Sequence, residues 1–182
     1  MAGNADNASI WTGADVYIGA KDLAGPTDTT TAWGAGWSAV GLLDGEEGLT
    51  QAREEESSEH YAWGGILYKR TKSKHKRTVK FVALEDNATV FGLVNPGSTR
   101  TTSAGLRTST IKVPTTNSFA IGFELREDGK VKRRTAKVAE VQEIGEIKES
   151  ETEPTVYEIT VVIFPESDGT IWHEVEDDPA AA

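Results

Sequence analysis

Side chains able to do acid-base, nucleophilic or metal chemistry are present in this chain, but not at the spacings such chemistry uses. The three histidines, His60, His75 and His173, give neither the i, i+4 pair of a helical metal site nor a compact cluster. There is no cysteine, which removes disulfides, thiolate metal sites and a cysteine nucleophile together. Serine, histidine and aspartate are all available, yet no Gly-x-Ser-x-Gly elbow frames a triad. The run Glu54-Glu55-Glu56 lacks the apolar surroundings that raise a carboxyl into general-acid range. Gly34, Gly36, Gly41, Gly45, Gly48, Gly64 and Gly65 compose neither a phosphate loop nor a dinucleotide fingerprint and read as turns and close approaches. We expect no catalytic residues, no metal and no cofactor.

One charged feature stands out. Lys69, Arg70, Lys72, Lys74, Lys76, Arg77 and Lys80 form a basic cluster in a chain whose net charge is −10. Such a cluster can bind nucleic acid, but the overall charge opposes that and no aromatic stacking pattern is interleaved. The alternative is a charged strand or hairpin face opposite an acidic partner, which Glu46, Glu47, Glu54, Glu55, Glu56 and Glu59 supply. The five tryptophans read either as core and interface residues or as an aromatic binding platform.

The elements that must position these residues are strands. A length of 182 residues fits one domain, expected over 10–175, with a flexible arm at 1–9 and an acidic tail at 176–182. The first residues lack the features of a signal peptide and no run approaches the roughly 20 apolar residues of a membrane span, so a soluble chain is expected. Strands are predicted over 14–19, 37–43, 66–68 and 78–84, with an extended excursion at 49–62. Glu85-Asp86-Asn87 caps a short helix that Asn95-Pro96-Gly97 stops, and 95–110 reads as a long loop. Phe119, Ile121, Phe123 and Leu125 alternate with polar or small residues, as do Tyr157, Ile159, Val161 and Ile163. Asp128-Gly129 turns the first of these into a strand at 131–138, and Ser167-Asp168-Gly169 precedes a last one at 170–175. The expected fold is mainly β, an antiparallel β-sandwich or partial barrel with one short flanking helix.

Trp37-Ser38-Ala39-Val40-Gly41, then Asp44-Gly45-Glu46-Glu47-Gly48-Leu49-Thr50, a polar excursion, Ala62-Trp63-Gly64-Gly65 and a basic strand follow one another in an order that resembles the major tail tube proteins of long-tailed, non-contractile bacteriophages. The second half is similar as well, through Phe119 to Leu125, the Arg126-Glu127-Asp128-Gly129 turn, Tyr157-Glu158-Ile159-Thr160 and Asp168-Gly169. The departures are the low-complexity stretch 95–110 and the density of the basic cluster.

The resemblance implies a structural virion protein of the tail, made in the host cytoplasm, whose copies form rings, hexameric in this family, that stack into a conduit for DNA. Tape-measure, tail-terminator and tail-tip proteins are its implied partners, with no membrane partner and no specific DNA binding. On this reading Glu54, Glu55, Glu56, Glu59, Trp63, Lys74, Lys76 and Arg77 are candidate contacts between subunits or rings. Glu124 and Glu158, on the polar faces of alternating strands, are candidate lumen acids. The alternatives are a non-enzymatic sandwich that recognises sugar or protein, and a small carboxylate hydrolase.

Overall fold

Apolar residues recur here at every second position, so the chain can bury a face only by pairing strands. The computed structural model describes residues 8–177, within which there are ten strands and one helix. The strands are β1 (Gly13–Ala20), β2 (Trp37–Ala39), β3 (Thr50–Ala62), β4 (Ile66–Ala83), β5 (Thr99–Ser103), β6 (Leu106–Thr110), β7 (Ser118–Glu127), β8 (Lys130–Ile144), β9 (Tyr157–Ile163) and β10 (His173–Glu176); the helix, α1, is Ala88–Val94. One antiparallel sheet runs β2-β1-β7-β8-β9-β4-β3, and β10 joins it beside β8. β8 is long enough to hold β10 along Lys132–Thr135 and β9 along Ala139–Ile144.

The segment after β2 curls this sheet toward closure. Val40 donates its backbone N–H to the Val16 carbonyl (2.8 Å), and two residues on Leu84 donates to Leu42 (2.9 Å) and Asp44 to Val82 (2.9 Å). A strand from one side of the sheet is thereby stitched to β4 on the other, giving a partial barrel. Phe81, Ile121 and Ile159 are fully buried inside it, and each such side chain contributes about 1.5–3 kcal/mol relative to exposure. α1 adds Val90 and Leu93 to the same core. Its start is fixed by Asn87, whose Oδ1 accepts from the Val90 N–H (3.0 Å).

A loop spanning 21–36 straps the outer face of β1, β7 and β8. Trp33 stacks on Tyr17, with ring centroids 4.4 Å apart, and lies so close over Gly122 that a Cβ there would meet its ring at 2.2 Å. Thr135 bears on Gly25 in the same way. β7 is therefore buried on both faces, which its alternation alone does not reveal.

Several expectations need correction. The excursion at 49–62 is a regular strand, β3, and the two strands expected at 66–68 and 78–84 are one strand, β4. The long loop at 95–110 is a hairpin, β5–β6, whose Thr-rich strands have the β propensity of branched side chains but no apolar face to mark them. β2 stops at Ala39 rather than 43, and β10 begins at His173 rather than 170. Of the two expected tails, 1–7 and 178–182 lie outside the described residues. Within them Ser9 accepts from Lys130 Nζ (2.8 Å), and Asp177 accepts from the Val131 N–H (2.9 Å).

Candidate assembly interface

β4 pairs with β9 only from Arg77 to Ala83. Its first half, together with most of β3, leaves the sheet as a two-stranded arm in which all of β3 is exposed. At about 3.3 Å of rise per residue the arm reaches roughly 35 Å beyond the sheet. Trp63, Gly64 and Gly65 make its tip, where φ of 87° and 78° at the two glycines gives the reversal a Cβ would strain. A two-stranded ribbon with no third layer is marginal in water.

The arm's backbone ladder is lined by charge pairs. Glu55 accepts from Lys72 (2.9 Å) and meets Arg53 (3.0 Å) and His75 (3.3 Å). These partners, Lys72 first, hold its carboxyl down at about 2. Glu56 meets Lys74 at 2.8 Å, while Glu54 with Lys76 and Glu59 with Arg70 are looser at 3.9 Å. Pairing shifts register between Glu54 and Glu56, and Lys74 opposite has φ 55°, so the arm carries a β-bulge there. Arg77 stands at its root, 4.7 Å above the Trp172 ring.

The eight residues expected at a subunit contact thus gather on one hairpin. Except for Arg77, which lies over Trp172, their acids and bases pair within one chain, so the attraction expected between subunits has an intramolecular outlet. Sequence reasoning named Trp63 but missed the apolar residues that surround it at the tip. Trp63 is fully exposed, and Tyr61, Ile66, Leu67 and Tyr68 around it are also open. The available signal was Gly64-Gly65 between an acidic and a basic run, a hairpin turn joining complementary strands.

The other tryptophans pack on their own chain. Trp33 lies edge-on to Trp37 (5.0 Å), Lys130 covers Trp11 (5.4 Å), and Arg77 and Arg134 flank Trp172. The five tryptophans therefore form no shared platform. His75 sits on the arm beside Glu55, His60 lies near Tyr68, and His173 meets Glu166 at 2.9 Å, so the histidines stand apart.

Of the two candidate lumen acids, Glu124 is only 7% exposed, beneath the strap. Trp33 Nε1 donates to it (2.8 Å), as do Arg133 (2.8 Å) and Arg126 (2.6 Å). Burial pushes its carboxyl up, but the tryptophan and the two arginines outweigh that and leave it below its ordinary value. A carboxylate covered and neutralised in this way is not free to line a channel. Glu158 is half-exposed and paired with Lys80 at 3.0 Å. A cavity of about 800 Å³ opens where Trp11 and Leu125 meet the 41–51 segment.

The whole chain, residues 1–182, matches the family model described as phage tail tube protein. The protein belongs to this family and is a structural, tube-forming component of the phage tail rather than an enzyme. No curated protein matches its sequence. Among solved structures, a chain of the PVC sheath-tube complex of an extracellular contractile injection system, in the extended state, is similar at a TM-score of 0.48 and 10% identity over 90% of this chain and 87% of that one. A chain of the anti-feeding prophage cap, described as a tube terminating cap, gives 0.47 and 12% identity over 96% and 98%. The family membership rests on the sequence match.

Proposed function

We propose that copies of this chain, each acting as one domain over 10–175, close into rings that stack as the tail tube of a long-tailed, non-contractile phage. The observation that carries the reading is the arm, about 35 Å of paired strand with no layer of its own chain to pack on. Surface of that kind becomes stable when neighbouring copies cover it, and ring closure also removes the free edge that β3 presents. Six copies per ring follow the family's pattern, as do tape-measure, tail-terminator and tail-tip partners and synthesis in the host cytoplasm.

DNA leaving the virion would pass through the tube without being held. The net charge of −10 suits that role, because each phosphate contact releases condensed counterions and a basic wall repeated along a tube would retain DNA at low salt. The lumen is therefore negative, with Glu158 rather than Glu124 among its acids and the basic cluster at contacts or outside. Negative-stain microscopy of the purified protein tests the assembly: rings or tubes are expected, and compact monomers at all concentrations would contradict it.

A further inference from the structure

We infer that the arm tip is a plug whose socket is the cavity beside β1 of a second copy of this chain, with Trp63 seated in it. The inference rests on the reading that copies assemble, and names a contact that reading leaves open.

The tip has the shape of a plug. Two glycines with no atom near their Cβ positions narrow the turn, leaving the fully exposed indole as its bulkiest projection. Ile66, Leu67 and Tyr68 follow it on the returning strand and are exposed as well. An indole is one of the largest single contributors of buried area at an interface, and its N–H needs an acceptor when covered.

The socket offers both. Its volume of about 800 Å³ exceeds what one indole needs, and Trp11, Leu42, Leu43, Leu49 and Leu125 give it apolar walls. Leu42 is two-thirds exposed, so this wall lacks a partner within its own chain. Asp44 and Glu85 border the same space; each accepts backbone N–H groups of its own chain through one carboxylate oxygen, Asp44 from Glu46 and Glu47 and Glu85 from Leu42, and a carboxylate has lone pairs left for an indole N–H. Its two arginines are already engaged, Arg126 with Asp15 and Glu124, and Arg134 with Glu174.

Charge and reach identify the occupant. Behind the tip the arm carries Lys69, which makes no ion pair among the described residues, unlike Arg70 and Lys72 beside it, while the turn beside the socket carries Asp44 and Glu46, also without a cation of their own chain. A chain cannot fill its own socket, because Gln51 at the root of β3 lines that cavity and Trp63 lies twelve residues further along the extended strand, about 40 Å away. The arm that enters must belong to another copy.

The absence of cysteine allows a direct test. Ile66→Cys beside the tip and Leu42→Cys on the socket wall, combined in one chain that keeps Trp63, should give a ladder of disulfide-linked multimers on oxidation of assembled tubes. Ile66→Cys with Leu106→Cys, at the tip of the β5–β6 hairpin, should give no ladder. Separately, Trp63→Ala should keep the wild-type melting temperature and reduce tube yield at least tenfold. Tubes that form without the 66–42 crosslink, or a Trp63→Ala variant that assembles as well as wild type, would overturn the socket while leaving the tube intact. A wild-type protein that never assembles would instead overturn the proposed function.

Discussion

Glu124 and Glu55 are both carboxylates gripped by more than one cation, yet they serve different levels of structure. Glu124 lies under Trp33 with Arg133 beside it, both charges almost wholly removed from water. Glu55 is gripped by Lys72, Arg53 and His75 on an arm open to solvent. The buried group has every partner it needs from its own chain, so its energy belongs to the fold. The exposed ladder keeps the arm's strands in register, and its flanking surface waits for another molecule. Burial, rather than ion-pair geometry, separates the two roles.

Glu124→Gln should separate them most sharply. Breaking one side of a buried ion pair leaves Arg133 uncompensated, which costs about 3 kcal/mol, and a thermal melt should fall by on the order of 10 °C. Acid should reproduce part of this loss. Because the folded Glu124 carboxyl lies below its reference value of 4.5, its contribution is fully present above that pH and disappears as pH falls through the folded value. Glu124→Gln should therefore flatten the acid limb of a stability-pH curve. The arm's Glu55, held at about 2, is still ionised at that reference pH.

Asn87→Ala removes the cap of α1 and should cost about 1 kcal/mol, read as a smaller shift in the same melt. The smallest effect on the fold belongs to the arm. Lys74→Glu with Lys76→Glu should leave the melting temperature unchanged within error, yet lower tube yield by disturbing the ladder. Restoring opposite signs through Glu54→Lys and Glu56→Lys should recover part of that yield.

The regions that could be read from sequence are those with one buried and one open face. Phe119, Ile121, Phe123 and Leu125 announce β7 because the period of two matches its core face, and Asn87 with Asn95-Pro96 brackets α1 for local reasons. The arm was hidden because neither of its faces is buried, so residues 50–62 carry no period; only the glycine turn and the opposed charges mark it. Glu124 misled for the complementary reason. Alternation assigned it to a polar face, and a loop whose path no periodicity encodes brought Trp33 down upon it.

Hydrogen exchange compares the two regions in one experiment. In free subunits, β7 amides should be strongly protected while those of 53–62 and 66–76 exchange quickly, since a two-stranded ribbon opens readily. In assembled tubes the arm should gain protection by a hundredfold or more and approach the body. Arms that exchange as fast in the tube as in the free subunit would contradict the claim that assembly is what the arm is built for.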